Sequence, residues 1–163
     1  MNSRAKVAGH PIHPMLIVFP LGLLASSLIF DFIALGSRNS DWALAAFYMV
    51  IAGIVGGLVA AVFGFIDWLA IPAGTRARAI GAWHGLGNVV VVGLFLVAWL
   101  LRFDHRQEAG GTPLVLAIIA VLLAVVTGWL GGELVDRLGI GVDDGAHADA
   151  PSSLSGRPAA QRA

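Results

Sequence analysis

The chain has 163 residues, of which 58% are hydrophobic and only 12% are charged, and its formal net charge is zero. This composition differs strongly from that of a soluble domain and indicates an integral membrane protein. Because there is no cysteine, disulfides, c-type haem and cysteine-ligated iron–sulfur clusters are excluded within this chain. No basic run is present, so we predict no nucleic-acid partner.

Four apolar runs are each long enough to cross a hydrocarbon core of about 30 Å as a helix. They cover approximately residues 15–36, 42–69, 79–101 and 113–133. We therefore predict an all-α fold, in which residues 15–136 form a four-helix antiparallel transmembrane bundle. An N-terminal segment, 1–14, precedes this domain. The tail 137–163 is rich in Gly, Ala, Asp, Ser and Pro, and we expect it to be disordered.

The basic residues indicate how this bundle is oriented in the membrane. Seven of the ten flank the bundle at the end where both termini lie, namely Arg4, Lys6, Arg76, Arg78, Arg137, Arg157 and Arg162. The other three, Arg38, Arg102 and Arg106, lie in the two loops at the opposite end. The positive-inside rule then predicts that both termini are cytoplasmic.

The first span is preceded by the segment Gly-His-Pro-Ile-His-Pro at 9–14. Proline is tolerated in a first helical turn, so this segment is interpreted as a helix start near the cytoplasmic interface. His10 and His13 would share one face if that turn is helical. Late in the same span lies Asp31, which we expect to reach water or an arginine, Arg38 or Arg102, in a structural role.

Small residues recur along the spans at intervals of three and four, a pattern that lets neighbouring helices approach closely. The predicted packing glycines are Gly53, Gly57, Gly64, Gly81, Gly85, Gly128 and Gly132. Polar residues accompany this pattern. The second span ends with Asp67 and the fourth with Glu133, whereas His84 and Asn88 share the small face of the third span.

The antiparallel topology places His10, His13, Asp67, His84 and Glu133 in one leaflet, and such residues are costly in hydrocarbon. Three hypotheses account for the cluster. Two histidines, His84 with His13 or His10, could hold haem b. The three histidines could instead bind a divalent metal, with Asp67 and Glu133 as ligands or as groups that orient the imidazoles. In the third hypothesis the cluster, with Asn88 bonding across helices, only fixes helix packing.

Several segments resemble a bacterial family of predicted four-helix membrane proteins, the domain of unknown function 2231. They are the two His-Pro pairs at 9–14, Gly-Phe-Ile-Asp-Trp at 64–68 and Gly-Trp-Leu-Gly-Gly-Glu-Leu at 128–134. The resemblance covers nearly all of residues 9–143 and implies a bacterial inner membrane location. Relatives are joined to c-type cytochrome or Rieske modules, which implies membrane electron transfer with such redox proteins as partners.

The resemblance implies that histidines of the family correspond to His10, His13 and His84 in this chain. Two further histidines of many relatives are absent here, one beside Val18 and one near Leu138, so a site must use the remaining three. We therefore predict a redox-associated membrane module, not an enzyme on its own, that binds haem b or a metal. The alternatives are a non-catalytic anchoring or assembly protein, and a proton or ion pathway built on Asp67 and Glu133. Besides the lipid bilayer and redox proteins, a second copy of the chain is a candidate partner.

Overall fold

The structure, a computed structural model, describes residues 1–161. Its helices are α1 (Ile12–Leu16), α2 (Val18–Ser37), α3 (Ser40–Ala70), α4 (Arg76–Leu101) and α5 (Gly111–Gly132), which continues into a π-helical turn, Glu133–Arg137. The first span comprises α1 and α2, which are separated only by Ile17. Four helical spans are long and apolar enough to cross a membrane, which confirms the predicted all-α bundle.

The four spans form a ring. The span α2 packs mainly against α3, and α4 packs mainly against α5, while smaller contacts join α3 to α4 and α2 to α5. Spans α2 and α4 are therefore diagonal neighbours across the centre. The core consists of seven buried residues, Leu24, Val50, Ile54, Val91, Phe95, Ala117 and Ala120. Many large apolar side chains point outwards instead, as they do in a protein whose solvent is lipid.

The two helical hairpins, α2–α3 and α4–α5, share a pattern of contacts and burial, from which we infer that they are equivalent halves. Asp31 contacts Arg102, which lies 71 residues later, and the same interval separates His13 from His84, whose rings are also in contact. Burial repeats between the halves. The equivalent buried pairs are Leu24 with Phe95, Ser27 with Ala98, Val50 with Ala117, Gly53 with Ala120 and Ala60 with Thr127.

Residues related by a two-fold rotation contact one another only near the rotation axis. The contacts of His13 with His84 and of Asp31 with Arg102 therefore mark a pseudo-two-fold axis that runs along the bundle. The imidazoles lie at the end that carries the chain termini, which we call the terminal face. The ion pair lies near the other end, and the apolar core separates the two.

A short hairpin covers the terminal face. Strand β1 (Lys6–Val7) pairs antiparallel with β2 (His10–Pro11), and the turn between them has Ala8 and Gly9 in the left-handed conformation. The segment 9–14 contains the predicted helix start, since α1 begins at Ile12 with Pro11 as its N-cap, but the residues before Ile12 form strand β2. His10 is therefore extended and does not share a helical face with His13.

The chain beyond the last helix, which belongs to the predicted tail 137–163, folds back over this hairpin. The amino group of Met1 donates to the carbonyl of Gly139 (3.0 Å), and Lys6 forms an ion pair with Asp143. Ser153, in a 3₁₀ turn, donates to the carbonyl of Ala8 (3.1 Å). Residues 162 and 163, which belong to that expected tail, lie outside the described residues.

Candidate functional site

The first imidazole of the site, that of His13, is held by the neighbouring helix α3. Its Nδ1 lies 2.9 Å from the carbonyl oxygen of Ala60. Because a carbonyl oxygen only accepts, Nδ1 carries the proton and Nε2 is the basic nitrogen. The approach depends on Gly64, one helical turn after Ala60, where a Cβ would lie only 2.9 Å from Nδ1 of His13.

The second half of the chain repeats this arrangement. Nδ1 of His84 lies 2.8 Å from the carbonyl oxygen of Thr127, so this ring also has its proton on Nδ1. One turn later lies Gly131, where a Cβ would be 3.1 Å from Cε1 of His84. Each imidazole is thus fixed by a carbonyl and a glycine four residues apart on the helix it packs against.

The two rings meet at the axis. Their centroids are 6.3 Å apart and their planes are nearly perpendicular, at 88°. Asn88 extends this cluster one turn deeper into α4. Its amide donates to the carbonyl of His84 (2.9 Å) and lies 3.3 Å from Nε2 of the same residue. The hydroxyl of Thr127 donates to Oδ1 of Asn88 (3.0 Å), so the polar contacts join α4 to α5.

The two carboxylates of the predicted cluster have other partners. Asp67 accepts from the Ser3 hydroxyl (2.8 Å) and from the backbone amides of Arg4 (2.8 Å) and Ala5 (3.1 Å). It therefore ties the N-terminal segment to the end of α3. Glu133 pairs with Arg76 at 2.6 Å. Backbone carbonyls, rather than these carboxylates, hold the imidazoles.

The third predicted histidine lies apart from the pair. His10 is exposed in β2, and its Nε2 is 3.3 Å from the Ser153 hydroxyl. The structure thus brings together His13 and His84 but not His10. Within residues 1–161, no group of three or more His, Asp or Glu side chains is arranged to hold a metal ion.

The predicted packing glycines fall into two sets. A Cβ would lie within 3.0 Å of a side chain at Gly53 (Leu24), Gly64 (His13) and Gly81 (Trp68), and at ordinary contact distance at Gly57. Gly85, Gly128 and Gly132 face open space. Sequence reasoning missed Gly87, which packs tightly against Thr127, and Gly131 beneath His84. The spacing of small residues indicates a seam but not which face of the helix meets a neighbour.

The buried ion pair lies near the other end of the axis. Nη1 of Arg102 donates to Oδ2 of Asp31 (2.9 Å), and Nη2 donates to the carbonyl of Ala43 (2.9 Å). Asp31 and Arg102 are only 3% and 5% exposed. Of the two arginines named as partners from the sequence, Arg102 makes the contact. The interval of 71 residues between Asp31 and Arg102 equals that between His13 and His84, and this shared interval is the signal in the sequence that relates the two pairs.

Comparison with known proteins gives one kind of match. A family model described as a predicted membrane protein, DUF2231, matches residues 9–144. Among curated proteins and solved structures, none matches the chain. The family match spans all four helices and confirms the resemblance seen in the sequence motifs.

Proposed function

We propose, from the premise that the chain belongs to the DUF2231 family of predicted membrane proteins, that it is an electron-transfer module that binds haem b. Family membership and the four apolar spans support its place in a bilayer. The bacterial inner membrane, with the terminal face in the cytoplasm, is part of the proposal and rests on the family resemblance and on the arginine distribution. The redox partner would be a c-type cytochrome or Rieske protein.

One observation carries the proposal, the contact of His13 with His84 at the axis. Zinc and non-haem iron sites take three or more protein ligands. A haem needs only axial ligands, because the macrocycle supplies the other nitrogens. With two imidazoles together and the carboxylates of Asp67 and Glu133 bonded elsewhere, the donor set favours haem over a bare ion.

The tautomer of both rings also suits residues that would hold a haem. Metal-ligating histidines commonly donate their other ring N–H to a backbone carbonyl, which fixes the tautomer, and both rings donate Nδ1–H in this way. The ring centroids of His13 and His84 are 6.3 Å apart, so both imidazoles would be available to hold one haem. When bound, haem would supply one-electron chemistry.

The visible spectrum of the purified protein, from cells supplied with iron and a haem precursor, tests the proposal. We expect a Soret band, and an α band that sharpens on dithionite reduction. His13→Ala and His84→Ala should each lose these bands while eluting as the same species from size exclusion. His10→Ala is the matched control and should keep them. A colourless wild-type protein, or bands that survive loss of both His13 and His84, would contradict haem binding.

The anchoring or assembly function remains the second candidate, and one observation favours it. Both ring nitrogens of His84 have partners within the protein, the Thr127 carbonyl and the Asn88 amide. In that case the cluster fixes the packing of α4 against α5, and a second copy or a redox protein would bind elsewhere on the bundle. A featureless spectrum favours this candidate. The pathway hypothesis has less support, because an apolar core fills the centre of the bundle.

A further inference from the structure

A second polar site lies inside the bundle near the end opposite the imidazoles. A small cavity of ≈ 10 Å³ lies there, and its polar lining consists of Asp31, Trp99 and Arg102. The rest of its wall is apolar and includes Phe95 and Ala117. A volume of this size is about what one water molecule needs.

Three buried polar atoms, one on each polar residue that lines this cavity, have no partner among the described residues. They are Oδ1 of Asp31, Nε1 of Trp99 and Nε of Arg102. Asp31 and Arg102 are both more than nine-tenths buried. Because the three atoms are buried, they have no contact with the surroundings of the bundle, and a buried polar atom without a partner is costly.

We propose that a single water molecule binds in this cavity. It accepts hydrogen bonds from the indole N–H of Trp99 and from Nε–H of Arg102, and it donates one to Oδ1 of Asp31. Buried waters typically make about three such bonds to polar groups that otherwise lack partners. The unpaired atoms, two donors and one acceptor, match what one water can satisfy.

The chemistry of the lining excludes the other small ligands. An anion would meet the Asp31 carboxylate, and a cation would meet the Arg102 guanidinium and the indole N–H. An apolar gas would leave all three polar atoms unpaired. A neutral molecule that both donates and accepts therefore fits the site, and the cavity volume limits it to the size of water.

The water would extend the hydrogen-bond network that joins the helices at this end of the axis. Arg102 already joins Asp31 of α2 to the Ala43 carbonyl of α3. Through the water, Trp99 of α4 is added to the same network. This function is independent of haem binding, because the apolar core lies between the two sites.

A crystal structure of the full chain, with bromide replacing chloride in the buffer, tests the identity of the ligand. We expect one peak about 2.7–3.2 Å from each of the three polar atoms, without anomalous signal at the bromine edge. An anomalous peak would show a halide, and absence of density would show a dry cavity. Either result overturns the proposal.

An NMR measurement in solution tests whether a bound water lies next to the Trp99 indole. In a nitrogen-15-edited NOE spectrum of the protein in micelles, the Trp99 indole proton should show a cross-peak at the water frequency with the sign of a long-lived contact. Trp99→Phe, which keeps an aromatic ring against Phe47, assigns that signal by its loss. The outward-facing Trp129 serves as the internal control and should lack the cross-peak. A Trp99 resonance without the cross-peak overturns the proposal.

Discussion

Single glycines decide where the imidazoles can lie. His13 occupies the space that a side chain at Gly64 would take, and His84 does the same at Gly131. In both cases the ring reaches a backbone carbonyl one turn earlier. A helix carbonyl is normally screened by the side chain four residues on, so the glycine exposes the acceptor that fixes the imidazole tautomer.

Substitution of these glycines by alanine should therefore destabilise the bundle. At Gly64 the new Cβ would lie 2.9 Å from the ring of His13, and overpacking of this kind costs about 1–3 kcal/mol. At Gly131 the nearest ring atom is 3.1 Å away, so a smaller loss is expected. Thermal unfolding in detergent measures both changes.

Gly128→Ala is the matched control for this pair. It lies in the same helix as Gly131 but faces open space, so alanine should be neutral or should stabilise the helix by up to about 1 kcal/mol. Equal stabilities for Gly64→Ala and Gly128→Ala would show that His13 does not pack against α3 as described.

At the scale of elements, the position of strand β1 depends on Asp67 at the end of α3. Asp67 accepts hydrogen bonds from the backbone amides of Arg4 and Ala5 and from the Ser3 hydroxyl. The strand β1 follows these residues directly. A carboxylate near the interface thus finds backbone donors in a neighbouring segment instead of a bound ion.

Asp67→Ala should release this segment. Hydrogen bonds to a charged group contribute about 1.5–3 kcal/mol each, so the amides of Arg4 and Ala5 should exchange with deuterium about tenfold faster or more. Hydrogen-exchange mass spectrometry of the N-terminal peptide measures the effect. Glu133→Ala removes the other carboxylate of the predicted cluster and should leave that peptide unchanged. The same acceleration in both variants would contradict a specific role of Asp67.

The sequence predicts the elements of this fold better than their contacts. Apolar runs of spanning length determine the four helices, and the antiparallel order correctly places His13, His84, Asp67 and Glu133 near one end of the bundle. Which of these residues touch depends on helix rotation, because successive residues point about 100° apart. The hairpin at 6–11 was missed because its proline pattern favours a helix start locally, whereas strand pairing and Asp67 stabilise it through distant contacts.

At the scale of the whole molecule, one pseudo-two-fold axis organises both polar sites. At the terminal face the equivalent positions carry the same residue, and two imidazoles meet. Toward the other end they carry opposite charges, and Asp31 meets Arg102. Two imidazoles related by the axis are the pair that would hold the proposed haem. Opposite charges form a buried salt bridge that holds the two halves together.

This equivalence predicts that the charges of the ion pair can be exchanged. Asp31→Arg alone would bury two guanidinium groups together, and Arg102→Asp alone would bury two carboxylates. Breaking a buried pair from one side costs about 3–5 kcal/mol. In the double variant the two positions would again carry opposite charges and would regain an ion pair in the reversed order.

We therefore expect the double variant Asp31→Arg/Arg102→Asp to recover at least half of the stability lost by either single variant in thermal unfolding. Should the single variants fail to accumulate in the membrane, accumulation of the double variant is itself the recovery expected. Losses that simply add in the double variant would contradict the equivalence of the two positions.

Because the apolar core separates the ion pair from the imidazoles, the exchange should leave any absorption that depends on His13 and His84 unchanged. A spectrum altered by the exchange would show that the two ends of the axis are coupled through the core.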